Sequence, residues 1–133
     1  MKDERTDQWF DFDYSLLRVV PHVHVGAYEV VGVVLHSRTS GFIGILYHLD
    51  TERLLSRWGD LDIELVEREL NALKEIARGD ESAGAIGALP PSERFHWITA
   101  PRSAVVQPAA VHAGRSHDPE KTLRELFAEA IPH

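Results

Sequence analysis

The sequence predicts an α+β fold in which an antiparallel sheet packs against two main helices. Three short segments in the first third of the chain are rich in β-branched and aromatic residues, whereas two later segments repeat apolar residues at helical spacing. Helices that follow the strands, rather than alternate with them, are typical of the α+β class. A chain of 133 residues fits one compact core, so we expect a single domain over residues 1–133.

Three strands are predicted near the start of the chain. Tyr14–Val20 and Tyr28–Leu35 are apolar segments separated by a proline and a glycine. Phe42–Leu49 follows the turn-like segment Ser37–Gly41, so it is the simplest antiparallel partner of the second strand. The three strands therefore form a predicted meander. Both of its faces are apolar, which indicates that helices cover at least one of them.

Three helices are predicted after the meander. Asp50 can cap a short helix over Thr51–Trp58. Asp62–Arg78 is the clearest helix, since its apolar residues form one stripe and a glycine follows its end. That stripe consists of Ile63, Val66, Leu70, Leu73 and Ala77. The last helix opens at Asp118, with Pro119 in its first turn, and presents a second apolar stripe to the core.

Three further segments complete the predicted layout. Residues 1–12 form an acidic N-terminal arm, and residues 79–88 are rich in glycine and alanine, which predicts a flexible linker within the domain. Ala104–Gln107 is a candidate later strand that Pro108 ends. The predicted sheet therefore has three strands with a possible fourth.

The composition excludes several classes of function. The chain has no cysteine, which excludes disulfides and zinc sites built from cysteine. Its formal net charge of −7 disfavours binding to the phosphate backbone of nucleic acid. The N-terminal segment is acidic where a signal peptide would be basic, and the longest apolar run, Val30–Leu35, is too short to span a bilayer. We therefore expect a cytoplasmic protein with no membrane partner.

Familiar cofactor and hydrolase motifs are absent from the sequence. It contains neither a G-x-G-x-x-G nor a G-x-x-x-x-G-K loop for phosphate, and no G-x-S-x-G elbow. His22 and His24 would place both imidazoles on one side of an extended segment, as some metal sites require. No acidic residue accompanies them in a motif, so a solvent-exposed histidine pair is the favoured interpretation. We predict no cofactor and no metal site.

The segment Gly87–Gly114 is where a binding site is expected. It reads GALPPSERFHWITAPRSAVVQPAAVHAG, and most of it lacks a regular apolar repeat. Residues 87–117 hold three Lys/Arg and one Asp/Glu, so this part of an acidic chain is locally positive. Its arginines can pair with carboxylates of the acidic helices. They can equally form an anion-binding pocket, because a guanidinium group fits carboxylate and phosphate.

Two functions remain open for this segment. The favoured one is a non-catalytic binding or accessory protein that holds a partner protein or an anionic ligand. Its candidate ligand-binding residues are Arg94, Arg102, Gln107 and Trp97. The other is a small enzyme for a phosphate- or carboxylate-bearing substrate, with histidine as general acid/base and arginine clamping the anion. Its candidate catalytic residues are His96, His112 and Ser103. Phe95 and Trp97 have a further interpretation as buried anchors of the segment.

The sequence also resembles a known family. Four segments together resemble the uncharacterised bacterial family catalogued as domain of unknown function 3037. They are YSLLRVVP, VGVVL, the 87–114 segment and DPEKTLRELF. The resemblance extends from about Asp13 to Phe127. It implies a small cytosolic bacterial protein, and it implies a HipA-like kinase as a candidate partner, because members are often encoded beside one. The family tends to have asparagine where this chain has Val30.

Overall fold

A computed structural model describes residues 8–22 and 25–131, which adopt an α+β fold. The strands are β1 (Phe10–Val19), β2 (Glu29–Ser37), β3 (Phe42–Tyr47), β4 (Val106–Pro108) and β5 (His112–Ser116). The helices are α1 (Thr51–Arg57), α2 (Ile63–Arg78), α3 (Gly84–Gly87), α4 (Pro91–Thr99) and α5 (Pro119–Ala130). The fold class and the meander of the first three strands are confirmed.

The sheet is antiparallel, with β1 at its centre. β2 separates β1 from β3, while β4 and β5 share the other edge of β1. β4 pairs with the C-terminal part of β1, and β5 pairs with its N-terminal part from Phe10 to Tyr14. This pairing starts β1 at Phe10, before the predicted Tyr14. Residues 10–12 therefore belong to the sheet, whereas residues 1–7 of the predicted acidic arm lie outside the described part of the chain.

Helices cover both faces of the sheet. On one face, α2 and α4 enclose the larger apolar core with side chains of β1, β2 and β4. Its fully enclosed members include Leu17, Val34, Val66, Leu70, Ile98 and Val106. On the other face, α5 packs Leu123 against Phe12, Val33 and Leu35. Since each face buries its own apolar set, the two sides of every strand are apolar, as the sequence shows.

Two glycines allow aromatic rings to lie flat on the α5 face. A Cβ atom on Gly114 would lie 2.6 Å from Cζ of Phe12, and one on Gly44 would lie 2.6 Å from Cζ of Phe42. Both distances are shorter than a van der Waals contact allows, so a larger residue would displace the ring. Glycine in these strands therefore permits close packing.

The boundaries of α2 follow the predicted signals. The Asp62 side chain accepts a hydrogen bond from the backbone N–H of Leu65, and Gly79 ends the helix with a φ of 71°. Glycine adopts this left-handed conformation without the steric penalty of a Cβ atom. The following segment 79–88, predicted as a linker, contains a 3-10 turn at Glu81–Ala83 and the short helix α3.

Helix α4 is the main departure from the sequence prediction. Most of the segment 87–114 lacks a regular apolar repeat in its sequence, but Pro91–Thr99 form a helix that buries Phe95 and Ile98. These two side chains are three positions apart, so they share one helical face against the core. The residue before the helix is Pro90, and no side chain caps its N-terminus. Among the described helices, none combines the length and hydropathy that a bilayer crossing requires.

Candidate functional site

A concave groove lies between α4 and the end of the sheet where β1, β2 and β5 meet. Its volume is about 770 Å³. One wall is α4, which contributes Ser92, His96 and Thr99, and the opposite rim is formed by β5. The floor and the remaining rim come from β1, from the end of β2 and from the turn that follows it. The groove thus combines residues from both ends of the chain.

Strand register explains which polar side chains reach the floor. Asp13 of β1 pairs with His36 of β2, and Asp11 pairs with Arg115 of β5. Paired residues of neighbouring strands project to the same face, and residues two apart on one strand do so as well. All four residues line the groove. The alternation of β1 therefore places two carboxylates towards α4 and turns Phe12 towards α5.

His36 is the buried polar group of this site. Only 7% of its surface is exposed, and its ring centroid lies 5.6 Å from that of Phe95. Its side chain makes no hydrogen bond with any described residue, and its ring nitrogens are not among the fully buried atoms that lack a partner, so they remain accessible from the groove. Burial lowers the pKa of His36 below its ordinary value, the carboxylate of Asp13 opposes this effect, and the cations Arg38 and Arg94 reinforce it. The imidazole is therefore neutral at pH 7, with one donor and one acceptor nitrogen.

The charged side chains at the groove differ in whether they are paired. Nε of Arg115 lies 3.6 Å from Oδ1 of Asp11, and both side chains are exposed. Arg38, in the turn after β2, forms no ion pair or hydrogen bond within the described chain, and the Asp13 carboxylate forms none either. Within the described chain, the Arg38 cation and the Asp13 anion are therefore unpaired at the same groove.

Arg94, predicted as a ligand-binding residue, instead binds the end of a helix. Its Nη1 donates to the carbonyl oxygens of Ile76 (3.1 Å) and Ala77 (2.7 Å) in the last turn of α2, and its Nε donates to Leu89 O (2.8 Å). The carbonyls of Ile76 and Ala77 lie in the last turn of α2, where Ile76 O also accepts from the backbone N–H of Gly79 (3.1 Å), and a cation at this end complements the helix dipole. Arg94 does not line the groove.

Arg102 has the same role for α4. Its Nη2 donates to Trp97 O (2.6 Å) and Ile98 O (3.0 Å), and burial lowers the pKa of Arg102 while Glu69 opposes this effect. The amide of Gln107 donates to Ala104 O (2.9 Å) within its own loop. The two arginines thus neutralise helix C-termini, an arrangement that neither sequence interpretation of the positive segment included.

The three candidate catalytic residues do not come together. His96 lies on the groove wall, but neither Ser103 nor His112 lines the groove. His112 pairs with Tyr14 across the sheet, and their ring centroids are 5.5 Å apart on the α5 side. Because the sheet separates the two faces, His96 and His112 cannot act on one substrate.

The aromatic residues of α4 divide between two roles. Phe95 is 7% exposed and anchors the helix in the core, as predicted, whereas Trp97 is 50% exposed. Trp97 lies beside Ile86 and Pro101 on the outer surface of α4, away from the groove. Phe95 and Trp97 are two positions apart on the helix and therefore point to different sides, so only one of the two rings can face the core.

Of the histidine pair His22 and His24, only His22 belongs to the described part of the chain. His22 Nε2 lies 3.8 Å from Oδ2 of Asp60, and His24 lies outside the described residues. Over residues 8–22 and 25–131, no group of three His, Asp or Glu side chains is arranged to hold a metal ion.

A family model described as "Protein of unknown function (DUF3037)" matches residues 14–131. The chain belongs to the DUF3037 family. No curated protein and no solved structure matches it. The DUF3037 match includes His36, Arg38 and all of α4, while Asp11 and Asp13 lie just before its first residue. Val30, where the resemblance leads one to expect asparagine, does not line the groove, so this departure leaves the site unchanged.

His36, Asp13 and Arg38 are the groove residues that sequence reasoning missed. A histidine at the end of a strand, such as His36, does not by itself indicate a function. One signal was available, since His36 continues the apolar run VGVVL by one residue and alternation places it on the core face with Val34. A polar residue at a buried position needs a partner, which makes such a position informative.

Proposed function

We propose that this protein is a non-catalytic binding protein whose groove holds a small ligand with an anionic group. The observation that carries the proposal is His36, whose ring lines the groove and makes no hydrogen bond with any described residue. A ligand seated over His36 would supply the partner that the protein does not.

The energetics favour a ligand with an oxygen acceptor. A ligand oxygen that accepts from the imidazole N–H of His36 would add a hydrogen bond worth about 0.5–1.5 kcal/mol. Arg38 adds an unpaired guanidinium at the same groove, and such a group binds carboxylate or phosphate through two parallel hydrogen bonds. The hydroxyl groups of Ser92 and Thr99 offer further donors from the α4 wall.

The shape of the site supports a small ligand in preference to a protein surface. Ligand sites are concave and occupy about 300–1,000 Å³, and the groove of about 770 Å³ falls within that range. Phe95 and Val111 add apolar surface between the polar groups. Part of the predicted segment 87–114 thus enters the proposal through α4 and β5, together with residues of β1 and β2 that lie outside it.

The test is calorimetric titration with a panel of small anions, including phosphate, acetate, succinate and free amino acids. Replacing Arg38 with glutamine should weaken binding of any member that binds by about tenfold, which corresponds to about 1.4 kcal/mol. Arg124→Gln is the matched control, because Arg124 is an exposed arginine of α5 on the opposite face. Equal affinities of the two variants would contradict the proposal, as would a complete panel without a binder.

A second candidate is an enzyme for an anionic substrate, and one observation favours it. His36 and His96 line the same groove, and burial keeps His36 in the neutral form that a general base requires. Mass spectrometry of a ligand incubated with the protein separates the two functions. Recovery of the unchanged ligand supports binding alone, whereas a product that His36→Gln abolishes would support the enzyme.

A further inference from the structure

We infer that the ligand of this groove is a small zwitterion, which carries an ammonium or similar cationic group close to its anionic group. Free amino acids and ω-amino acids belong to this chemical class. The inference rests on the proposed binding function and adds the cationic half of the ligand to it.

The first argument is the balance of charge at the groove. Its charged residues are two aspartates and two arginines, and its two histidines include the neutral His36. Arg115 and Asp11 already lie within 3.6 Å of each other. The charges left over are one cation, Arg38, and one anion, Asp13. A ligand that complements both must itself carry both signs.

The second argument is the position of these two charges around His36. Asp13 is the cross-strand neighbour of His36 on β1, and Arg38 follows His36 by two positions and lines the same groove. Any ligand that contacts the His36 ring is therefore close to both charges. Its anionic end can bind the guanidinium group while its cationic end binds the carboxylate of Asp13.

Simple ions fit this arrangement less well. An anion held by Arg38 alone brings its own negative charge towards Asp13, and a cation held by Asp13 brings positive charge towards Arg38. Asp13 and Arg38 are both exposed, so water and salt weaken these repulsions without removing them. A zwitterion avoids both of them, and the two unpaired side chains of the free protein become paired.

The test compares three probes of equal chain length by calorimetry and by NMR of the His36 ring. They are 5-aminopentanoate, pentanoate and pentylamine, with the corresponding sets of three, four and six carbons to vary the separation of the charges. For the best chain length, we expect the zwitterion to bind at least about tenfold more tightly than either single ion. Asp13→Asn should reduce its affinity to that of the carboxylate probe, and Arg38→Gln to that of the amine probe.

Glu120→Gln and Arg124→Gln on the opposite face are matched controls that should leave all affinities unchanged. Circular dichroism establishes that each variant is folded. If pentanoate binds as tightly as the zwitterion, shifts the His36 ring and is indifferent to Asp13→Asn, the zwitterion inference is overturned while the binding function stands. If the probes leave the ring unchanged but another anion of the panel shifts it, the same conclusion holds. If nothing shifts the ring, the proposed function falls as well.

Discussion

Replacement of Arg94 tests whether this residue stabilises the end of α2 or binds a ligand, as its sequence context indicated. Arg94→Met keeps much of the aliphatic stem but removes the donors to Ile76, Ala77 and Leu89. The carbonyl oxygens of Ala77 and Leu89 then lose the hydrogen bond from Arg94, and Ile76 O keeps only the one from Gly79 N–H. We expect the variant to be less stable than the wild type and to bind ligand in the groove with unchanged affinity.

The magnitude follows from the hydrogen bonds. Each bond to a charged group contributes about 1.5–3 kcal/mol, but contributions from one side chain are not additive. Arg94 is also partly exposed, so water can reach some of the freed carbonyls. We therefore expect a loss of about 2–4 kcal/mol in the free energy of unfolding. For a chain of this length, 1 kcal/mol corresponds to about 4 °C in Tm, so the expected decrease is about 8–16 °C.

Urea unfolding at pH 7.5, followed by circular dichroism, measures this difference. Arg78→Met is the matched control, since Arg78 lies in the last turn of α2 but is exposed. Arg94→Lys should recover part of the loss, because lysine keeps the charge without the forked donors. If Arg94→Met is as stable as the control and weakens ligand binding instead, Arg94 belongs to the ligand site and the structural argument is refuted.

Three further variants test other parts of the structure. Burial lowers the pKa of His36, so below pH 6.5, its ordinary pKa, the unfolded chain binds more protons than the folded chain. Acidification should therefore destabilise the wild type more than His36→Gln. If the urea midpoints of the two proteins fall in parallel as the pH is lowered, this prediction is contradicted. Gly114→Ala should lower the free energy of unfolding by about 1–3 kcal/mol, since the added Cβ atom would meet the ring of Phe12. Gly59→Ala is the control in the same urea assay, because a Cβ atom there has no contact closer than 3.8 Å, and it should not show this loss. Arg102→Ala should lower the free energy of unfolding by about 1–2 kcal/mol without changing ligand affinity in calorimetry. Unchanged stability with weakened ligand binding would show that Arg102 is a ligand-binding residue.

The helices that sequence analysis predicted correctly are marked by capping residues and apolar stripes in their own sequences. Asp62 and Asp118 cap their own helices, and each apolar stripe continues for several turns behind the cap. Helix α4 lacks such a cap and has only two buried side chains, so its short pattern does not stand out from an irregular segment. β5 contains a glycine and mostly exposed residues, and it is a strand because distant β1 pairs with it.

The site was harder to predict, because its residues are brought together only by the tertiary structure. Arg94 and Arg102 look identical in sequence to free anion-binding arginines, and only the proximity of helix ends shows that their donors are occupied. Conversely, Asp13 and Arg38 lie outside the segment that the sequence singled out. Strand register, which the sequence does not specify on its own, places them beside His36.

NMR spectra of protein labelled with ¹⁵N-histidine test the central claim most directly, with the pH held constant while a small anionic ligand is added. We expect the ring nitrogens of His36 to shift and saturate, while those of His112 on the opposite face of the sheet remain unchanged. In Arg38→Gln the shift should saturate only at about tenfold higher ligand concentration, whereas Arg124→Gln should titrate like the wild type. A ligand that binds in calorimetry but leaves the His36 ring unaffected would show that the groove between α4 and the sheet is not the binding site.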